Sequence, residues 1–76
     1  MARPEHVRVE IAFDGGQIMG ALLAPTAADE LENALASGSS GSLALEAADG
    51  RYTVVLARIV YVKRFSRESR VGFGAG

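Results

Sequence analysis

The chain has no cysteine, no tryptophan, a single histidine and only two prolines. Without cysteine, no disulfide can staple the fold, and no thiolate can serve as nucleophile or metal ligand. The lone histidine, His6 beside Glu5, falls short of the three or four converging ligands that a metal site needs. It reads as an ordinary surface residue. Long apolar runs are missing too, which excludes a membrane-spanning helix. Met1-Ala2-Arg3-Pro4-Glu5-His6 carries no apolar core of a signal peptide, and neither end has a lipidation motif. The expectation is a cytoplasmic protein with no membrane partner. Lysine is scarce as well: one, against seven arginines and thirteen alanines. That bias reads as a GC-rich, bacterial gene.

What remains is 76 residues, 8.0 kDa, with 49% hydrophobic and 22% charged residues. This is the composition of one small globular domain spanning 1–76, with 1–5 and 71–76 expected to fray. A domain so short buries only about 60% of the surface its unfolded chain exposes. Small scaffolds therefore lean on a staple. With disulfides and cysteine-based metal sites excluded, the staple left is oligomerisation, and a homodimer or larger assembly is expected.

Net charge is -1, but the signs are segregated. Residues 9–50 hold seven acids and no base, whereas 51–76 hold six bases and one acid, Glu68. Such asymmetry marks either an anionic partner or two halves that attract each other. The second reading is preferred.

Val7, Val9, Ile11 and Phe13 alternate with Arg8, Glu10 and Ala12, the period of a half-buried strand. Asp14-Gly15-Gly16-Gln17 is a tight turn. Ile18 to Ala24 is apolar on both faces, as a central strand would be, with Gly20 inside it and Pro25 ending it. Thr26 and Asp29 suggest a shortened capping box for a helix over about 26–37. Its stripe is Ala27, Leu31, Ala34 and Leu35, and Gly38 closes it. Leu43, Leu45 and Ala47 begin a second hairpin through Asp49-Gly50. The apolar run from Tyr52 to Phe65 is too long for one strand, so Ala57-Arg58 is read as a bulge or short turn that divides it. The fold class is α+β, mainly antiparallel β: ββαβ(β), a single sheet or small barrel with one packed helix. The expected core is Val7, Val9, Ile11, Phe13, Leu22, Leu31, Leu35, Leu43, Leu45, Val54, Leu56, Ile59 and Tyr61.

Chemistry-bearing patterns are sparse. Asp29, Glu30 and Glu32 point in different directions on a helix and do not converge. Gly15, Gly16 and Gly20 are followed by neither Gly-Lys-Ser/Thr nor a helix, so the phosphate-loop and dinucleotide fingerprints fail. No serine stands in a nucleophile elbow. No catalytic residue, metal ligand or cofactor is assigned. The informative stretch is basic: Arg58, Lys63, Arg64, Phe65, Arg67 and Arg70, with Tyr61 interleaved. Cations meet phosphates and aromatics stack on bases, so these six residues are candidate contacts for nucleic acid or a protein partner. The slightly acidic chain, with a pI of about 5.7, is unlike a typical nucleic-acid binder.

Val7 to Leu23 reads as strand, turn, strand with Gly20 and Leu22 inside. Leu43 to Val62 reads as strand, turn, strand, break, strand. Over about two thirds of the chain this resembles the Sm-like small β-barrel, with five strands, a glycine in the second and a short break before the fifth. The resemblance implies that fold, with ring or dimer assembly. It departs where the family begins with a helix, and where the family's RNA-contacting Asp and Asn follow the second strand; the helix from Thr26 stands there instead. Only Arg58 corresponds, loosely, to a family RNA-site position.

The functional expectation is a non-catalytic, self-assembling or protein-interacting module. The alternatives are a nucleic-acid binder using 58–70, and a small enzyme or ligand carrier with no residue to name.

Overall fold

The computed structural model describes residues 5–65. Its chain is α+β: a five-stranded antiparallel sheet carrying one helix. β1 (Val7–Phe13) and β2 (Ile18–Leu23) form the first hairpin, and α1 (Pro25–Ala36) follows. β3 (Ser42–Ala47) and β4 (Gly50–Val55) form the second hairpin. A 3-10 turn, Leu56–Arg58, leads into β5 (Ile59–Arg64). The sheet order is β4-β3-β2-β1-β5.

β4 and β5 are consecutive in sequence yet lie at opposite ends of that order. Five flat strands would hold them about 19 Å apart. The four steps from Val55 to Ile59 reach at most about 14 Å. The sheet must therefore curl. The 3-10 turn is pinned on both sides: the Leu56 N–H donates to the Gly41 carbonyl, and the Asp14 N–H donates to the Arg58 carbonyl.

Inside the curl lies the core: Val9, Ile11, Leu23, Ala27, Ala28, Leu31, Leu45, Val54 and Leu56. α1 packs chiefly on β3 and also touches β1. Ala27 and Ala28 let its axis come close to the sheet, and Leu31 is fully buried. Each such leucine contributes about 1.5–3 kcal/mol by leaving water.

The helix begins one residue before the expected start, and the capping box does not form. Pro25 occupies the first helical position, and Ala24 is its N-cap with no side-chain hydrogen bond. The residue before a proline is driven to extended backbone, and Ala24 has φ -60 and ψ 144. Proline has no N–H to leave unsatisfied there, so Thr26 falls inside the helix rather than at its cap. The C-terminal end is a Schellman motif. Gly38, at φ 75, takes the left-handed conformation. Its N–H donates to the Leu35 carbonyl and that of Ser39 to the Ala34 carbonyl.

Two core expectations are corrected. Leu22 and Tyr61 are exposed, at 48% and 44%, while Leu23 is fully buried. β2 is apolar on both faces, so alternation alone cannot say which face turns inward. Tyr61 is displaced by a register shift: Phe13 pairs with Ile59 but Ala12 pairs with Tyr61. Val60 is the extra residue, and it reverses the parity of the strand. Val7, Phe13, Leu35, Leu43 and Ile59 are half-buried against the core rather than within it.

Candidate functional site

The sheet face opposite α1 is uncovered among the described residues, and its cross-strand register arranges it in three rows. One row is apolar: Ile18 on β2, Ala12 on β1 and Tyr61 on β5. Ile18 is 61% exposed, and Val60 beside Tyr61 is 64% exposed, whereas Ala12 is nearly covered. The second row is Gly20, Glu10 and Lys63. The third is Leu22 and Arg8, continued by Phe65, whose N–H donates to the Arg8 carbonyl.

Tyr61 donates its hydroxyl to Glu10 Oε2 at 2.6 Å, linking the first row to the second. That hydrogen bond to a carboxylate, with lesser help from burial and charge, holds the Tyr61 phenol above its ordinary range. Asp49 does the same to Tyr52, whose hydroxyl donates to Asp49 Oδ2 at 2.9 Å.

The basic candidates divide. Arg58 pairs with Asp14 at 3.6 Å, on the hairpin side of the 3-10 turn. Arg64 points to the helix face, where Nη1 donates to Asp29 at 2.9 Å and to Glu32 at 3.3 Å. The Asp29 hydrogen bond is the largest of the influences that raise the Arg64 guanidinium pKa. Arg51 pairs with Glu46 at 3.6 Å. Each of these ion pairs joins the basic end of the chain to its acidic stretch. Lys63 and Phe65 lie on the open side, where Lys63 Nζ stands 4.7 Å from the Phe65 ring centre. Arg67 and Arg70 lie outside the described residues, as do 1–4 and 71–76.

Arg8 was not among the sequence candidates. Its guanidinium stands 4.8 Å from the same Phe65 ring. Only the β1–β5 pairing brings it there, and no local sequence signal could have shown that. Among the described residues, Arg8 and Lys63 are the cations with no ion pair. Beside Arg8 opens a cleft of about 560 Å³, walled by Gly20, Leu22, Ala48, Asp49 and Tyr52.

Among the described residues, no polar or charged side chain is buried, no group of three His, Asp or Glu could hold a metal ion, and no helix is long and apolar enough to cross a membrane. The open side thus offers an apolar row, a pair of uncompensated cations and a cleft beside a strand. No family model, curated protein or solved structure matches the chain.

Proposed function

We propose that this chain is a non-catalytic, cytoplasmic, bacterial module for self-assembly and protein interaction, working as a homodimer or larger. The carrying observation is the apolar row. Ile18 and Tyr61 stand exposed in one row on the sheet face that α1 leaves uncovered, and Val60, next to Tyr61 in the chain, is exposed as well. A chain this small gains most by extending its core across a second copy. A two-fold assembly would set one row on its mate, the isologous arrangement most homodimers adopt.

The pairing of Arg51, Arg58 and Arg64 within the chain supports this reading over nucleic-acid binding, because those cations already meet carboxylates. The Sm-like relationship is part of the same proposal. Five antiparallel strands, Gly20 in the second and the turn at Leu56–Arg58 before the fifth support it. The test is isotope-filtered nuclear Overhauser spectroscopy on a mixture of labelled and unlabelled protein. Cross-peaks between Ile18 or Val60 of one copy and Tyr61 of another are expected. Intermolecular contacts confined to α1 would overturn the assigned face.

A further inference from the structure

The cleft opens where β2 and β3 part. The two strands pair only at Leu23↔Ala47, and the Ala48 N–H donates to the Leu22 carbonyl just before the chain turns through Asp49 into β4. One wall of the cleft is β1 and β2, with Arg8, Gly20 and Leu22. The other is the β3–β4 turn and the start of β4, with Ala48, Asp49 and Tyr52. Arg8 is the cross-strand partner of Leu22, and Leu22 is bonded to Ala48, so the backbones of the two walls stand about 10 Å apart, two strand spacings. A strand's hydrogen-bonding groups alternate in direction residue by residue. The Gly20 N–H and C=O therefore face the gap, and no strand of the described residues pairs with them. Nothing stands within 4 Å of where a Gly20 side chain would be, so this backbone is open to close approach.

The walls carry opposite charges, and neither is answered. Among the described residues, Arg8 and Asp49 make no ion pair with each other or with any other group. Asp49 Oδ2 accepts the Tyr52 hydroxyl, which leaves Oδ1 for a further donor. The Phe65 ring steadies the Arg8 guanidinium from the β5 side without neutralising it. We propose that the cleft binds a zwitterionic small molecule, a free α-amino acid with an apolar side chain. Arg8 receives its carboxylate, Asp49 its ammonium, and Leu22 with the Tyr52 ring its side chain. The unpaired Gly20 backbone adds a donor and an acceptor beside them. At about 560 Å³ the cleft is within the usual size of a small-molecule site. The proposal goes beyond self-assembly and uses no residue of the apolar row.

Ligands of a single charge fit less well. A phosphate or a simple carboxylate answers Arg8 and is repelled by Asp49, and an amine answers Asp49 and is repelled by Arg8. An α-amino acid carries both charges on one carbon, so one small molecule between the walls meets both. A peptide holds its terminal ammonium and carboxylate far apart and can bring only one of them to the cleft.

The probe is L-leucine, titrated to millimolar concentration into the full chain while amide resonances are followed. Three relatives serve as controls. N-acetylleucine keeps only the negative charge, leucinamide keeps only the positive one, and leucyl-glycyl-glycine separates the two. Amides of Gly20, Leu22, Ala48 and Asp49 should shift together with leucine, and each control should bind about tenfold more weakly, as the loss of one charged hydrogen-bonding partner predicts. Arg8→Gln and Asp49→Asn should each weaken leucine binding by about the same factor. Asp49→Asn keeps a favoured hairpin turn, since Asn-Gly serves there as well as Asp-Gly. Arg8→Gln should not weaken leucinamide binding, and Asp49→Asn should not weaken that of N-acetylleucine, a pairing that mere loss of structure would not produce. The proposal is overturned if leucine shifts none of these amides, if its shifts fall on Ile18 and Tyr61 instead, if either single-charge control binds as tightly, or if both variants bind leucine like the wild type. Tighter binding of leucyl-glycyl-glycine would give the cleft to a peptide and overturn it too.

Discussion

Arg64 Nη1 lies 2.9 Å from Asp29 Oδ1 and 3.3 Å from Glu32 Oε1, so one guanidinium ties the last strand to a helix 35 and 32 residues earlier. The Arg64 side chain is 32% exposed and its partners more so, which limits its strength. Arg64→Met keeps the apolar stem and removes the charge. It should lower stability slightly at low salt, as the loss of an exposed pair does. Most of that difference should vanish in about 1 M salt. Urea unfolding at the two salt levels measures it, and equal stability at low salt would remove the tie.

The helix stripe separates into a deep and a shallow part. Leu31 is fully buried, whereas Leu35 only borders the core. Leu31→Ala should cost about 2–5 kcal/mol, a large share of the stability of so small a domain. Leu35→Ala should cost clearly less. Chemical denaturation of the two variants side by side tests the ranking, and a reversed order would contradict the placement of α1.

Two glycines should respond oppositely to substitution. Gly16 sits at φ +95 in the first hairpin turn, where a Cβ is strained whatever the space around it. Gly16→Ala should destabilise by about 1–2 kcal/mol. Gly20 lies in a strand with no positive φ and open space beside it. Gly20→Thr should be neutral or raise stability by up to about 1 kcal/mol through β propensity. Thermal melting of both variants checks this, and a loss at Gly20 equal to that at Gly16 would contradict it.

The two phenols give a pH dependence with a definite sign. Tyr61 and Tyr52 have their pKa raised, first by hydrogen bonds to Glu10 and Asp49. An unfolded tyrosine titrates at about 10. The folded chain binds these protons more tightly, so their contribution to stability is complete below about pH 10 and is lost as pH rises through the folded values. Tyrosinate absorbance should therefore rise later in native protein than in urea. Glu10→Gln should bring Tyr61 back toward the ordinary range, and identical titrations in native and unfolded protein would contradict the pairing.

The elements themselves were legible because each is locally marked. β1 alternates, both hairpins carry glycine at the turn, and the break before β5 shows in Ala57-Arg58. The face of each strand was legible only where one side is polar. β2 is apolar throughout, so Leu22 and Leu23 could not be ranked. In β5 the extra residue Val60 reversed the parity, and Tyr61 went from expected core to open face. Pro25 marks the end of a strand in the sequence and also begins the helix, since its fixed φ suits both. For the site, sequence proximity grouped Arg58, Lys63 and Arg64, yet the fold sends them to three places. Arg58 goes to Asp14, Arg64 to the helix and Lys63 to Phe65. Arg8 joins Lys63 only through strand pairing between the two ends of the chain. Such a contact leaves no trace in local composition.

The self-assembly proposed through the apolar row is tested most directly by the mass of the protein in solution. Sedimentation equilibrium would be run on the wild type and on Ile18→Glu across the micromolar range. Ile18 is exposed, so the substitution should change the stability of the single chain by no more than about 0.5 kcal/mol. The account predicts a wild-type mass of at least twice 8.0 kDa, falling toward the single chain in the variant. A wild type that remains an 8.0 kDa monomer throughout the range would contradict it.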